Sequence, residues 1–449
     1  MSTTMQPPAY LTGNYAPVTE ELSVYDLPVT GAVPPELSGW YLRNGPNPHE
    51  ADTGHWFLGD GMVHGVRLES GRAKAYRNRW VRTKEGPHRD EHGVPDLEIG
   101  QANTHVVRHA GRTFALVESS FPYELDCRPG HELETVGPYD FDGKLATAMT
   151  AHPKTCPTTG ELHFFGYATE APYLTYHRAD RDGELVVSRP IDVPGSTMMH
   201  DFQLTAEHVI FMDLPVVFDL ELAKAEVQTM PYTWQPEYGA RLGVLRRDDP
   251  YGQIRWLSID PCYVFHTLNA YDEGDGDHAR IVMYVSRYPH LSAPELGDAA
   301  ATLWRWTIDL RTGKVDEEQI DDRVSEFPRV DDRLAGRRTR HGHLITAGGL
   351  GSDHPSALLR YDLDTGAVVR HDFGPGRQGA EASFAPADDQ PGGPGWLMSY
   401  VYDAATNTSD LVIVDADALE SRPVATIHLP TRVPFGFHGN WLPSEPLID

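Results

Sequence analysis

The sequence contains few cysteines, and their placement argues against two kinds of site. Only three occur in 449 residues, at Cys127, Cys156 and Cys262, and no two of them are close in sequence. Isolated cysteines predict neither a disulfide framework nor a thiolate metal site. We therefore interpret each one as a small buried hydrophobic residue.

Positive charge and long apolar runs are also scarce. Lysine and arginine number 38 against 65 aspartates and glutamates, which gives a formal net charge of -27. Such an acidic chain is poorly suited to bind nucleic acid or anionic lipid headgroups. No apolar run approaches the length that spans a bilayer, and the opening stretch MSTTMQPPAYLTGNYAPV lacks the features of a signal peptide. These absences predict a cytoplasmic protein that has no nucleic-acid partner.

Helical periodicity is rare, and short strands dominate the chain. Apolar and aromatic residues alternate with polar ones between Gly, Pro, Asp and Asn. One helix is predicted over residues 219–228 (DLELAKAEVQ), as a loop insertion rather than a core element. We find neither a Gly-rich dinucleotide fingerprint between a strand and a helix nor a P-loop. The pattern predicts an all-β protein without a nucleotide cofactor.

A strand, a polar turn ending in glycine and a second strand recur along the chain. The three segments are LTYHRADRDGELV (174–186), LWRWTIDLRTGKV (303–315) and LLRYDLDTGAVV (358–369). Gly313 and Gly366 are 53 residues apart, a spacing typical of four-stranded propeller blades, of which this length would hold about six to eight. A sandwich or two barrels is the alternative. Because no Gly/Ser-rich or Pro-rich linker divides the chain, we favour a single β-propeller domain over residues 1–449, with residues 1–33 as an N-terminal extension packed on it.

Four of the 22 histidines stand in apolar or aromatic surroundings. They are His152 in TAHPK, His200 in MMHDF, His266 in YVFHTLNAY and His438 in FGFHGNW. The intervals between them are too long for a finger-type site, but the innermost strands of different blades converge on a propeller's axis. Four imidazoles that meet there would form a nitrogen site for iron, copper, zinc or nickel. For any one of them a hydrogen-bonded core histidine is the alternative. The loop-like segments around His88, His92, His278 and His354 predict surface positions.

Three glutamates are candidates for holding those histidines. Glu118 in ALVESSFPYELD, Glu326 in SEFPRVDD and Glu381 in GAEASFAPA each lie in a strand-like apolar context, where an unpaired carboxylate is costly. A metal-bound histidine usually donates its other ring N–H to a carboxylate, which fixes the tautomer. Three carboxylates would also offset the charge of a divalent metal.

A series of motifs along nearly the whole chain, from about residue 34 to 441, resembles the carotenoid cleavage oxygenases. The motifs are, in order, YLRNGPNP, HWFLGDGMVHGVRL, NTHVVRHAGRTFALVESSFPYELD, AHPK, MMHDF, FHTLNAYD, EFPRVDDR, EASFAP and PFGFHGNW. The resemblance implies a seven-bladed β-propeller whose axial iron(II) is held by His152, His200, His266 and His438, with Glu118, Glu326 and Glu381 behind them. It also implies that dioxygen and a carotenoid or apocarotenoid are the substrates, and that a carbon–carbon double bond is cleaved to carbonyl products without an organic cofactor.

Two other classes of function remain open. The same chemistry could act on a stilbene or another phenylpropanoid alkene. In relatives that split hydroxystilbenes, the resemblance implies a lysine just before the first glutamate, whereas this chain has Val117 there. An apolar residue there suits a polyene better than a phenol. A propeller hydrolase or lactonase that uses calcium or zinc, or a propeller that only binds partners, is the other class, although calcium would need oxygen ligands.

The loops of the propeller are expected to roof a substrate tunnel. Its lining is predicted from the segments SSFPYEL (119–125), ATEAPYLTYH (168–177) and MDLPVVFDLELA (212–223), which are rich in aliphatic and aromatic residues. The apolar face of residues 214–222 is alternatively a shallow membrane-docking patch, which would place the protein at the membrane periphery. Its acidic neighbours weaken that alternative.

Overall fold

Antiparallel sheets that follow one another along the chain build the fold. The computed structural model describes residues 8–49, 53–89, 94–128, 130–225, 230–291, 300–346 and 356–444. Within these ranges the sheets form a seven-bladed β-propeller, as the sequence predicted. Each blade begins with the strand nearest the axis and proceeds outward, so that the innermost strands come together at the centre.

The first five blades are each built from four strands in chain order. Blade 1 contains His105–His109, Arg112–Leu116, Tyr123–Asp126 and Glu134–Pro138. Blade 2 contains Lys154–Thr155, Leu162–Tyr167, Leu174–Ala179 and Leu185–Ile191. Blade 3 contains Gln203–Leu204, His208–Asp213, Ala240–Arg246 and Arg255–Ile259. Blade 4 contains Tyr263–Glu273, Arg280–Tyr288, Thr302–Asp309 and Val315–Gln319. Blade 5 contains Glu326–Arg329, His341–Ile345, Ala357–Asp362 and Val368–Asp372.

Residues from the beginning of the chain complete the last two blades. Blade 6 contains Arg377–Gly379, Ser383–Pro386, Gly395–Asp403, Thr408–Asp415 and Ala425–His428, with Val29–Gly31 at its outer edge. Blade 7 contains Gly439–Pro443, Gly39–Pro46, Gly61–Glu69, Arg72–Trp80 and Ser23–Tyr25. Its two innermost strands come from distant parts of the chain, and the antiparallel pairing of Tyr41 with Trp441 closes the ring.

Helix is confined to short connections among the described residues. The one α-helix there is Leu220–Lys224, and the side chain of Asp219 caps it by accepting bonds from the backbone N–H groups of Glu221 and Leu222. It lies within the hairpin Val216–Phe218 and Tyr232–Trp234, an insertion in blade 3, while residues 226–229 of the predicted helix lie outside the described ranges. The 3-10 helices are Ala9–Leu11, Gly13–Tyr15, Trp56–Leu58, Pro236–Tyr238, Gly276–His278 and Asp332–Leu334. None of the described helices is long and apolar enough to cross a membrane.

The recurring sequence pattern marks the third and fourth strands of three blades. Gly183, Gly313 and Gly366 have φ angles of 90°, 80° and 74° in the turns that join these strands in blades 2, 4 and 5. Glycine adopts positive φ without the steric cost that a Cβ would bring. The sequence pattern therefore predicted the outer hairpins of the blades.

The hydrophobic core lies between the blades, with one buried cluster at each junction around the ring. Phe114 and Phe164 belong to the cluster between blades 1 and 2, and Leu42 and Val106 belong to the one between blades 7 and 1. Full burial of such side chains stabilises each by about 1.5–3 kcal/mol. Because every blade packs on two neighbours, the axis is held in place by the whole ring.

Candidate metal centre

Each blade contributes one of the seven predicted site residues near the axis. Histidines come from blades 2, 3, 4 and 7, and carboxylates come from blades 1, 5 and 6. The histidines are His152, His200, His266 and His438, and the carboxylates are Glu118, Glu326 and Glu381. Six of them lie on the innermost strands or in the connections next to these strands, and Glu118 lies in the turn between the second and third strands of blade 1, so residues that are far apart in sequence meet near the axis.

The four histidine rings face one another closely. Each offers one ring nitrogen, and these four atoms all lie within 4.8 Å of one another. The Nε2 atoms of His152 and His200 are 3.0 Å apart. The ring centroid of His438 lies 4.6 Å from that of His152 and 4.7 Å from that of His266. Nitrogen atoms converging on one point are the donor set that a transition metal needs.

Local backbone features aim two of these rings at the axis. The pairing register of the innermost strand of blade 4 shifts between Val264 and Thr267, so His266 sits on a bulge. Next to His438, a Cβ on Gly436 would lie 2.8 Å from the Cα of Gly45. Neither Gly436 nor Gly439 has a positive φ. The glycines of FGFHGNW therefore permit a close approach of two backbones rather than a left-handed turn.

A carboxylate stands behind three of the four rings. The Nδ1 atom lies 2.8 Å from Glu118 in His200, 2.6 Å from Glu326 in His266 and 2.9 Å from Glu381 in His438. Glu326 and Glu381 can only accept these bonds, so the Nδ1 atoms of His266 and His438 carry the proton and their Nε2 atoms present a lone pair to the axis. Among the described residues no carboxylate stands behind His152, whose backbone N–H donates to Thr150 Oγ1 at 3.1 Å.

A further side chain holds each carboxylate in turn. The phenol of Tyr167 donates to Glu118 at 2.7 Å, and the phenol of Tyr288 donates to Glu326 at 3.1 Å. Arg329 donates to Glu381 at 3.2 Å. Hydrogen bonds to Glu326 and Glu381 thus fix the directions of His266 and His438 before any ion arrives, whereas Glu118 approaches His200 as a close ion-pair partner without hydrogen-bond geometry.

Two histidines of the cluster are held in the neutral form that can bind a cation. Burial, reinforced by the neighbouring imidazoles, lowers the pKa of His152 and His438 well below the usual value, so both rings are neutral donors near pH 7. Burial also lowers the pKa of His266, but the charge and hydrogen bond of Glu326 outweigh it and the net shift is upward. The buried Nε2 atom of His266 finds no hydrogen-bond partner among the described residues. A lone pair left without a partner in a dry site is what a bound metal would satisfy.

A cavity of about 970 Å³ opens onto the histidines. His200, His266 and His438 form part of its wall, together with the two phenols of Tyr167 and Tyr288. Aromatic side chains surround this end of the cavity: Tyr15, Trp56, Phe57, Phe265, Phe327, Phe435 and Phe437. Tyr15 belongs to the N-terminal extension, so that segment contributes to the wall.

The predicted tunnel lining is right for one segment and largely wrong for the other two. Residues 168–172 and Thr175 line the cavity, but Ser119 is the one residue of 119–125 that does so. No residue of 212–223 lines it, because Leu214 and Val216 pack into the core between blades 3 and 4. The returning arm of that hairpin, Met230 to Tyr232, reaches the cavity instead.

The sequence analysis noted aromatic residues beside the candidate ligands but did not predict that their rings line the cavity. Phe265 precedes His266, Phe437 precedes His438 and Phe327 follows Glu326. Adjacency to a metal ligand was the available signal. Phe327 has a φ of 53°, unusual for an aromatic residue, and its ring stacks on His266 with centroids 5.2 Å apart.

The structure describes two of the four histidines that were predicted to lie at the surface. His88 and His278 are exposed, as expected, although His88 also lies at the edge of the cavity. His92 and His354 lie outside the described residues. The three cysteines are free, with Cys156 and Cys262 buried and Cys127 half-buried.

Comparisons with known proteins agree with this geometry. The sequence model of the retinal pigment epithelial membrane protein family matches residues 15–443. A carotenoid cleavage oxygenase of Mycobacterium tuberculosis is 39% identical over 97% of each chain. Among solved structures, the lignostilbene dioxygenase of Pseudomonas brassicacearum superimposes with a TM-score of 0.86 at 29% identity, over 98% of this chain and 99% of that one. A variant of the Synechocystis apocarotenoid oxygenase gives a TM-score of 0.84 at 26% identity, with the same coverage. The chain therefore belongs to the carotenoid cleavage oxygenase family and is an oxygenase of the carotenoid cleavage dioxygenase type.

Proposed function

We propose that the protein is an iron(II) dioxygenase that cleaves a carbon–carbon double bond of a carotenoid or apocarotenoid into two carbonyl products. The observation that carries the proposal is the convergence of four histidine nitrogens within 4.8 Å at the wall of a largely aromatic cavity. Such a donor set leaves coordination positions open toward the cavity. Dioxygen and a hydrophobic alkene would share that space.

His152, His200, His266 and His438 are proposed to hold the metal, and Glu118, Glu326 and Glu381 to orient three of them. All-nitrogen neutral ligands suit iron(II) and leave oxygen-preferring cations such as calcium poorly served. Iron(II) bound there would supply the activation of dioxygen. On this scheme no organic cofactor or external electron donor is required.

The chain's own residues are proposed to prepare the site for that chemistry. The carboxylates would keep one proton of His200, His266 and His438 on Nδ1, so that each Nε2 is the atom offered to the metal. The aromatic wall excludes water and leaves apolar faces against which a conjugated chain can lie. Binding energy would thus come from burial of the polyene, and the position of the cleaved bond from how far the chain can enter.

Val117 favours a polyene over a phenol as the substrate. Its side chain lines the cavity and is 7% exposed, directly before Glu118 in the sequence. A valine offers neither a cation nor a hydrogen bond to a phenolate, so burying a hydroxylated ring there would leave a polar group unpaired. The relative of highest identity named above is a carotenoid cleavage oxygenase, which agrees with this preference.

A stilbene or a related phenylpropanoid alkene is the second candidate. Its support is the close superposition with the lignostilbene dioxygenase. The wall also carries hydroxyl groups on Thr175 and Ser188, which could pair with a polar ring substituent. Both candidates use the same metal centre.

The other parts of the prediction extend this proposal. We propose that residues 1–449 act as one oxygenase domain, since strands from the N-terminal extension complete blades 6 and 7. The net charge of -27 supports the absence of a nucleic-acid partner. The structure supports membrane contact through residues 214–222 less than the sequence did, because Leu214 and Val216 are buried. Leu220, at 55%, is the exposed apolar side chain of this segment.

The experiment is anaerobic loading with iron(II), followed by addition of air and product analysis. Apocarotenals, carotenoids, hydroxystilbenes and vinyl phenols would be offered under identical conditions. We expect iron-dependent cleavage of an apocarotenal to two carbonyl compounds, both labelled from ¹⁸O₂. Faster cleavage of a hydroxystilbene would favour the second candidate, and cleavage that zinc or calcium supports in the absence of iron would overturn the oxygenase chemistry.

A further inference from the structure

The residues directly beside three of the ligands form a buried cross-link between blades 2, 3 and 4. Asp201 follows His200, Thr267 follows His266 and Lys154 lies two residues after His152. The carboxylate of Asp201 is 1% exposed and contacts both of the others.

Both oxygens of the Asp201 carboxylate are engaged. Its Oδ1 forms an ion pair with Lys154 Nζ at 2.8 Å and accepts from the backbone N–H of Phe202 at 2.8 Å. Its Oδ2 accepts from the backbone N–H of Thr267 at 2.8 Å and from the Thr267 hydroxyl at 2.7 Å. The buried carboxylate thus has three hydrogen bonds and one ion pair.

These bonds act on the backbone that carries the ligands. The bond to the N–H of Thr267 fixes the peptide just after His266, at the bulge that turns this ring toward the axis. The bond from Lys154 ties the short innermost strand of blade 2, whose pairing involves only Lys154 and Thr155, to the strand of blade 3. Three of the four ligand-bearing segments are therefore linked through one carboxylate that does not face the cavity.

The fourth ligand has a separate clamp. Arg329 donates to the carbonyl of Gly439 at 2.7 Å, and Glu381 accepts from the N–H of Gly439 at 2.8 Å. Glu381 thus both contacts His438 and holds the peptide that follows it. Asp201 has the corresponding backbone role after His200 and His266 and reaches the His152 segment through the side chain of Lys154, without contacting any imidazole in the described hydrogen-bond network.

We infer that Asp201 is a positioning residue that holds His152, His200 and His266 at metal-binding distance by cross-linking their strands. The inference rests on the proposed function, since it assumes that these histidines bind a metal. Asparagine in this place cannot accept at both positions, because its amide nitrogen would oppose the N–H and hydroxyl of Thr267 or the ammonium of Lys154. The ligand segments would then move relative to one another.

The test is metal affinity of the metal-free protein, measured by competition with a chelator for iron(II) or cobalt(II), in wild type and Asp201→Asn. We expect the variant to bind about 10- to 100-fold more weakly, the range for residues that act behind the ligands. The matched control is Asp272→Asn. Asp272 lies at the far end of the strand that carries His266. It links blades 3 and 4 by accepting from the Thr205 hydroxyl, the backbone N–H of Glu207 and the His208 ring at 2.9, 2.9 and 2.7 Å. It should change stability but leave metal affinity unchanged.

Two further variants separate positioning from charge. If Lys154, left without its counterion, merely repelled the cation, Lys154→Met combined with Asp201→Asn would restore wild-type affinity, and that result would overturn the inference. Retained weak binding in the double variant supports positioning. Thr267→Val removes the bond from the Thr267 hydroxyl to Asp201, together with the bond that this hydroxyl accepts from Gln203, and keeps the inference testable if Asp201→Asn does not fold. We expect an intermediate loss, and wild-type affinity there counts against the inference.

Failure of the proposed function gives a different result. If wild-type protein binds neither metal, the metal centre itself is wrong. If wild type binds and Asp201→Asn binds equally well, only the role of Asp201 is wrong.

Discussion

The Nδ1 atom of His438 lies 2.9 Å from Oε1 of Glu381, and these side chains are only 5% and 2% exposed. The second oxygen of Glu381 accepts from Gly439 and Arg329. Glu118 is held by the phenol of Tyr167, and Glu326 by the phenol of Tyr288 and the backbone N–H of Phe327. The three carboxylates are therefore not equivalent, and Glu381 has the most demanding surroundings.

Replacing each carboxylate by an amide should show that the three contribute unequally to metal affinity. Glu118→Gln, Glu326→Gln and Glu381→Gln should each lower metal affinity or activity by about 10- to 100-fold. The largest loss is expected for Glu381→Gln, which takes away the buried carboxylate partner of Arg329 and leaves only the exposed Asp332 at 3.4 Å. Chelator competition and turnover measure the losses, and circular dichroism checks the fold. Wild-type affinity in all three variants would show that the carboxylates serve another purpose.

Removing a ligand should abolish metal binding rather than weaken stability in general. His152→Ala, His200→Ala, His266→Ala and His438→Ala should each lose tightly bound iron and cleavage activity. In wild type, metal at about 1,000 times its dissociation constant should stabilise the fold by about 4 kcal/mol, and the variants should lose this increment. Elemental analysis and thermal unfolding with and without metal provide the readout. His278→Ala, at an exposed position, is the control; full activity in His438→Ala would contradict the ligand set.

A lysine at position 117 should change the substrate preference. Val117→Lys places a cation in the cavity beside Glu118, where it can pair with a phenolate. We expect kcat/KM for an apocarotenal to fall at least about 10-fold and any activity on a 4-hydroxystilbene to rise. Val117→Met, which adds volume without charge, should keep the apocarotenal preference. If wild type already prefers the stilbene, the choice of substrate is wrong and the metal centre is unaffected.

Acid should destabilise the protein in part through His177. Burial lowers the pKa of this ring to about 4, its Nε2 lies 2.8 Å from Thr147 Oγ1, and its Nδ1 has no partner among the described residues. Because the folded state disfavours the charged ring, this contribution is complete above pH 6.5, the ordinary pKa, and is lost as the pH falls from 6.5 to about 4. The full loss is about 3 kcal/mol.

Denaturant unfolding of metal-free protein at pH 7.0, 5.5 and 4.5 tests this. His177→Gln cannot titrate, so its free energy of unfolding should fall less steeply with acid than that of wild type. His278→Gln should follow wild type. Parallel curves for wild type and His177→Gln would show that the buried ring does not contribute.

The sequence was most informative where chemistry and local pattern agreed. The turn glycines Gly313 and Gly366 predicted the blades because the steric need for positive φ is local. His152, His200, His266 and His438 stood out because imidazoles in apolar strands require a partner. That their nitrogens meet within 4.8 Å could be anticipated only once a propeller was assumed.

Features that depend on packing between blades were not accessible in this way. Tyr167 and Tyr288 are ordinary aromatic strand residues in sequence, and only the arrangement of neighbouring blades brings them to Glu118 and Glu326. The segment around Leu214 and Val216 was expected at the tunnel because it is apolar. An apolar residue suits a cavity wall and an interblade core equally well. Here the hairpin that pairs Val216–Phe218 with Tyr232–Trp234 places Leu214 and Val216 in the core.

The strand that follows His438 is paired with Gly39–Pro46, and the other three ligands come from blades 2, 3 and 4. No stretch of chain shorter than 152–438 therefore holds the whole donor set, and that stretch places His438 correctly only when it pairs with a strand from before residue 50. If the proposed metal is bound by all four histidines, its full coordination requires closure of the ring: it would report that the strand after His438 has paired with Gly39–Pro46.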